Sequence, residues 1–240
     1  MAHPVYNQNL GLIGILAQSG TPTDCIVFTG ESSDFTLKAT NKEWDGTVEY
    51  STDRTTWTTW NGTAISSHNK KLYLRGSGNT TFRTSKGAQF VLSARAGCGG
   101  NLNTLLEYSN PPTNLSANFC YFNMFYGCTN LTIAPELPAT TLTTQCYDSM
   151  FWGCTNLTTA SALPATTLAD YCYNYMFYGC SSFKVSSTKT GTYQHAWRIP
   201  TSGTASAQKY WNTSMLENTG GTFTSNPSIN TTYYVENEPV

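Results

Sequence analysis

Charge is what this chain has least of. Lys, Arg, Asp and Glu make up 11% of its 240 residues and leave a net charge of −1, where an ordinary soluble domain carries about a quarter. Neither a nucleic-acid backbone nor an anionic membrane surface has an electrostatic reason to bind it. No Lys, Arg or His lies between Arg95 and Lys184. Acid–base or nucleophilic catalysis needs titratable groups that converge, so no catalytic residue is assigned and no enzyme is expected. The three histidines, His3, His68 and His195, are scattered, and no Cys-x-x-Cys occurs. No metal site and no cofactor is expected either.

Long apolar runs are missing too. Leu10–Ala17 spans eight residues, too few to cross a bilayer. A secretory leader opens with a basic region, yet no Lys or Arg precedes Lys38. Membrane insertion and ordinary secretion are therefore not expected.

What the chain does have is a repeat. Cys120-Tyr-Phe-Asn-Met-Phe-Tyr-Gly-Cys128-Thr-Asn-Leu131 returns as Cys146-Tyr-Asp-Ser-Met-Phe-Trp-Gly-Cys154-Thr-Asn-Leu157, then as Cys172-Tyr-Asn-Tyr-Met-Phe-Tyr-Gly-Cys180-Ser-Ser-Phe183. The interval is 26 both times (146 − 120 and 172 − 146), and Leu137-Pro-Ala-Thr-Thr-Leu142 returns as Leu163-Pro-Ala-Thr-Thr-Leu168. A fixed period of this size marks a stack of similar coils, each burying its apolar residues against its neighbours.

The unit resembles the BspA-type subgroup of leucine-rich repeats, found in surface proteins of gut bacteria and their bacteriophages; the matching copies cover about a third of the chain. Gly97-Cys98-Gly-Gly-Asn101-Leu102 looks like a degenerate opening turn, with Gly97 in the place of Gly127 and four extra residues. The resemblance implies a mainly β fold with some helix (α+β). It has four parts: an arm at 1–23, a β-sandwich at 24–96, a short solenoid at 97–183 and a helix-plus-strand cap at 184–240.

Met124, Phe125, Cys128 and Leu131 have the spacing of a short helical or 3₁₀ turn facing a core, with Gly127, Gly153 and Gly179 ending it in a left-handed conformation. The prolines after Leu131 and Leu157 make the rest of each coil extended. Two readings of the eight cysteines stand, a disulfide framework or two ladders of free, packed thiols; the missing leader favours the ladders. Stacking also aligns two aromatic columns about 5 Å per step: Tyr126, Trp152 and Tyr178, and Tyr121, Tyr147 and Tyr173. At least one should face solvent as a candidate ligand-binding stripe, since flat rings among Thr and Asn suit sugars. In the alternative reading the rings only seal the coils.

Residues 24–96 alternate short apolar runs with turns, the pattern of about six strands. They include a hairpin over Val48–Trp60 and core or rim candidates Trp44, Trp57 and Trp60. Ala205–Asn218 has the apolar spacing of a helix, and Ile229–Val235 reads as a strand. In the arm, Val5, Tyr6, Leu10, Leu12, Ile13, Ile15 and Leu16 would form an apolar patch that soluble monomers avoid; a homotrimer or a capsid site would cover it.

A surface protein without an export signal reaches the outside by assembly into a particle and release by lysis. The expectation is a bacteriophage virion surface structural protein, a head fibre, capsid decoration or tail-associated component. It would hold other virion proteins through its arm and turn its repeats toward host-cell or mucosal glycans. The alternatives are a ligand-free virion cement or spacer and a bacterial cell-surface adhesin.

Overall fold

The computed structural model describes residues 23–83, 89–199 and 209–240. The expected arm, with its seven apolar residues from Val5 to Leu16, lies outside them. The chain is mainly β, with several sheets and none closed. Among the described residues the one helical element is a 3₁₀ turn, Leu102–Leu105, and no helix is long and apolar enough to cross a membrane.

The first half contributes β1 (Ile26–Gly30), β2 (Thr36–Ala39), β3 (Thr47–Ser51), β4 (Thr58–Thr59), β5 (Ile65–Ser66), β6 (Lys71–Ser77), β7 (Phe90–Leu92) and β8 (Ala96–Gly99). Alternation decides which side chains enter the core: Ile26 and Phe28 in β1 and Leu72 and Leu74 in β6 are buried, while Val27, Thr29, Lys71, Tyr73 and Arg75 between and beside them are not. β5, β2 and β7 form a separate three-stranded sheet. Trp44 and Trp60 are buried and stack at 5.3 Å, and the Trp60 indole N–H donates to the Thr63 carbonyl at 2.7 Å. Trp57 lies under the Arg75 guanidinium at 4.0 Å. The hairpin forms as expected: β3 pairs with β4, and at its tip the Asp53 carboxylate accepts from the Thr55 and Thr56 N–H groups, both at 2.8 Å. Those two backbone donors, Thr56 first, hold its carboxyl well below the usual carboxylate range.

The larger sheet runs β4-β3-β6-β1-β8-β9, where β9 is Leu131–Ile133, inside the first repeat. The boundary expected between residues 96 and 97 thus falls within β8, and one apolar core is continuous from Ile26 to Val235. The opening-turn alignment needs correcting as well. Gly97 is a strand residue paired with Ile133, so it does not take the place of the left-handed Gly127. A Cβ there would come within 3.1 Å of the Ile133 side chain, which would have to give by a few tenths of an ångström, so the close strand contact favours glycine.

The repeated blocks are not helical. In the first, alternate N–H groups leave the coil: Tyr121 donates to the Cys146 carbonyl (2.8 Å), Asn123 to Asp148 (3.2 Å), Phe125 to Met150 (2.9 Å) and Gly127 to Trp152 (2.7 Å). The N–H groups between them close turns inside the coil, Phe122 to Phe119, Met124 to Tyr121, Tyr126 to Asn123 and Cys128 to Phe125. Each backbone donor in the ribbon therefore has a partner, which is what makes burial affordable. A left-handed residue recurs every fourth position: Phe119, Asn123 and Gly127, then Gln145, Ser149 and Gly153, then Tyr171, Tyr175 and Gly179. Burial follows the same step, with Cys120-Tyr121, Met124-Phe125 and Cys128 all inside. The period is four residues. Over nine residues this differs from a helical 3.6 by less than half a turn, so the spacing alone resembled a helix.

Residues 209–218 carry the same ribbon instead of the expected helix. Tyr171, Tyr173, Tyr175, Phe177 and Gly179 donate to the carbonyls of Lys209, Trp211, Thr213, Met215 and Glu217. Tyr210, Ser214 and Asn218 are left-handed, 39 residues after Tyr171, Tyr175 and Gly179 (210 − 171). Trp211, Met215 and Leu216 are buried in the places of Cys172, Met176 and Phe177. A third sheet, of order β11-β13-β10-β12, closes this end: β10 (Lys184–Ser186), β11 (His195–Arg198), β12 (Gly220–Gly221) and β13 (Thr232–Val235), the last being the strand expected at 229–235. At the other end Phe82 and Phe90 donate their N–H groups to the Cys120 and Met124 carbonyls, both at 2.7 Å, and set their rings against Tyr121 and Phe125.

Candidate functional site

Four-residue phasing sorts the aromatic columns into inner and outer. Tyr121, Tyr147 and Tyr173 occupy an inward position and are fully buried. Their rings stack at 5.8 and 6.0 Å with interplanar angles of 4° and 5°. Beside them Phe125, Phe151 and Phe177 stack at 5.6 and 5.4 Å, tilted by 12° and 11°. The tyrosine column is core, and its three residues leave the candidate binding stripe. Burial pushes all three phenols well above their ordinary value. The Tyr121 hydroxyl donates to Asn103 Oδ1 at 2.9 Å, while among the described residues the buried Tyr147 hydroxyl has no partner.

The other column lies outside. Tyr126, Trp152 and Tyr178 each directly precede a left-handed glycine, at an outward step of the ribbon. Tyr126 is 39% exposed, and the other two are half-buried. These rings lean: Tyr126 to Trp152 is 5.6 Å at 34°, and Trp152 to Tyr178 is 4.4 Å at 35°. Leaning rings form a staircase in which part of each face stays open. The structure adds Tyr175, whose ring meets Trp152 at 4.9 Å and Tyr178 at 5.8 Å. Sequence reasoning missed it because the same position holds Asn123 and Ser149 in the other copies. The only signal was a second tyrosine in Cys172-Tyr-Asn-Tyr175.

A polar seam runs beside the staircase. The buried Asp148 carboxylate accepts from Ser149 Oγ at 2.7 Å, Gln145 Nε2 at 3.0 Å and Asn174 Nδ2 at 3.3 Å. Asn174 directly precedes Tyr175, and in the first coil Asn123 Oδ1 is buried and, among the described residues, has no hydrogen-bond partner. The seam's acceptors lie below the surface, Asp148 being only 4% exposed and Asn123 Oδ1 covered. Two shallow clefts lie elsewhere, one beside β11 around His195, Arg198 and Glu238, the other lined by Lys38, Lys42 and Asn61.

All eight cysteines are free and buried. Cys154 and Cys180 donate their thiols to the carbonyls of Phe125 and Phe151, 3.0 and 2.9 Å away. Burial pushes the thiols up from an ordinary 9.0, Cys128 to about 11 and Cys172 to about 12. Such thiols are poor nucleophiles. Among the described residues no group of His, Cys, Asp and Glu is arranged to hold a metal ion. The chain matches no protein-family profile, no curated protein and no solved structure.

Proposed function

We propose that the chain is a bacteriophage virion surface structural protein, a head fibre, capsid decoration or tail-associated component, whose repeat face adheres to host-cell or mucosal glycans. In this reading residues 24–96 act as a β-sandwich and residues 97–183 as a short solenoid of the BspA-like kind. Residues 1–23 hold the chain to other virion proteins. The observation that carries it is the leaning, partly open outer column Tyr126, Trp152, Tyr175 and Tyr178. A sugar ring offers an apolar face to aromatic carbons, so a row of partly open rings suits the stacking of successive sugars. An extended, shallow surface spreads affinity over equivalent positions of successive coils.

The ligand-free spacer reading has an observation of its own: Trp152 is half-buried between Tyr126, Tyr175 and Tyr178 and closes the coils against water as it stands. Binding of the full chain to immobilised host-surface glycans, with and without Tyr126→Ala combined with Tyr178→Ala, separates the two. Adhesion requires loss of binding in a variant that stays folded. Absence of binding by the parent chain would leave the spacer. Detection of the chain on purified particles by a labelled antibody tests the virion assignment separately.

A further inference from the structure

We infer that the ligand of this face is an extended, β-1,4-linked glycan that lies along the axis of the stack, one sugar to a coil; this rests on the adhesion reading above. The argument is the step of the outer column. Tyr126, Trp152 and Tyr178 stand one to a coil with ring centres 5.6 and 4.4 Å apart, on either side of the strand spacing of about 5 Å. A sugar in an extended β-1,4 chain advances by a similar length, and that linkage keeps successive sugars in one flat ribbon with apolar faces. A straight row of partly open rings meets such a ribbon ring for ring. An α-1,4 chain curves away from it.

A second column keeps the same step. Three residues past each ring, beyond the left-handed glycine, come Thr129, Thr155 and Ser181, all exposed. The Ser181 hydroxyl reaches the Thr155 carbonyl at 3.4 Å, one coil back. A hydroxyl both donates and accepts, so these three suit the hydroxyls along the edge of a sugar chain whose face lies on the rings. Because rings and hydroxyls repeat together, the ligand runs across the coils and not along one ribbon. The track stops at the fourth coil, where the exposed Glu217 follows Tyr178 by 39 residues (217 − 178) and takes the place of a fourth ring; its carbonyl accepts from the Gly179 N–H at 2.9 Å. Other outer rings lie under cations: the Arg83 guanidinium is over Phe119 at 3.9 Å and Phe122 at 4.7 Å, and the Lys209 ammonium is over Tyr210 at 5.3 Å. Tyr175 widens the track beside Trp152 and Tyr178. Three coils of ring and hydroxyl engage three sugars.

The test titrates the full chain with glucose oligomers of one to six units in two series that differ only in linkage, β-1,4 (cello-oligosaccharides) and α-1,4 (malto-oligosaccharides). In the β-1,4 series affinity should rise about fivefold with each added sugar up to three, as each ring is engaged, and then level off. The α-1,4 trimer should bind at least about fivefold more weakly than the β-1,4 trimer, since it loses one ring or more. Tyr126→Ala, at the exposed end of the column, should move the levelling-off from three sugars to two, while Tyr171→Ala, off the column, leaves it at three. Equal affinity at all lengths, or equal affinity of the two series, would overturn the inference and leave adhesion standing. So would failure of both series to bind a chain that does bind the immobilised host-surface glycans. Failure with those glycans as well would remove the adhesion reading itself, and this inference with it.

Discussion

The coils carry two aromatic ladders on the inner side of the ribbon and one on the outer side, and the side decides how the rings pack. The inner ladders are nearly parallel, with tilts of 4° to 12° and no exposure, while the outer one leans by 34° to 38° and is partly open. Inside, flat stacking is imposed because neighbouring coils leave no other space at close-packed density. Outside, nothing forces the rings flat, and they lean on each other as far as the coil spacing allows. The same residue type at the same period is thus a fold determinant on one side and available for contact on the other.

The largest test of this contrast is Phe151→Ala. Phe151 is fully buried between Phe125 and Phe177, so deleting its ring should cost about 3–5 kcal/mol, read as a lower urea midpoint with an unchanged slope. A loss under about 1 kcal/mol would mean that the inner ladder is not what holds the coils.

Next in size is an alkaline transition. Each buried thiol stays protonated in the folded chain to a higher pH than in the unfolded one. Its stability contribution is therefore intact below about 9 and drains away as the pH rises through about 11 for Cys128 and about 12 for Cys172. The slope is about 1.4 kcal/mol per pH unit per thiol. Urea unfolding at pH 8 and pH 10 should show it, and Cys128→Ala should reduce the slope. Equal stability at the two pH values would contradict the buried ladders.

Two tyrosines of one inner column sharpen the comparison further. Tyr121→Phe removes the bond to Asn103 and strands a buried amide oxygen, costing about 1–3 kcal/mol. Tyr147→Phe removes a hydroxyl that has no partner and should be neutral or stabilising. The reverse order in thermal midpoint would place their hydroxyls wrongly. Smallest is Gly153→Ala. Its Cβ would meet only Gly127 Cα at 3.8 Å, so the penalty is the left-handed φ of 71° alone, about 1 kcal/mol. A loss above about 3 kcal/mol would mean that the coils meet more closely at this point than 3.8 Å.

How much of this could be read from the chain alone depended on how long each pattern persisted. The 26-residue period was legible because Cys, Met, Phe and Gly hold register across three copies. The four-residue ribbon was not, since Met124, Phe125 and Cys128 suit a helix equally well. The fourth coil was hidden by an interval of 39 instead of 26 and by substitutions that keep only its physics. Trp211, Met215 and Leu216 retain the apolar steps, and Asn218 replaces glycine at the left-handed turn, a position that asparagine tolerates. Nor could the sequence distinguish the two aromatic columns. Tyr121 and Tyr126 differ only in phase relative to Asn123 and Gly127, and that phase is set by backbone hydrogen bonds to the next coil.

The central claim is that fold and recognition are divided between the two sides of the ribbon, and adjacent residues test it. Trp152→Ala and Phe151→Ala should be compared for unfolding free energy and for glycan affinity, each at a temperature where the chain remains folded. The account predicts that Trp152→Ala weakens binding about five- to tenfold, roughly 1 kcal/mol of stacking and apolar contact, with a thermal midpoint close to that of the parent. Phe151→Ala should lower the midpoint sharply while its folded fraction binds as the parent does. A Trp152→Ala variant that loses as much stability as Phe151→Ala, with its binding unchanged, would show that the outer column is core as well, and would contradict the account.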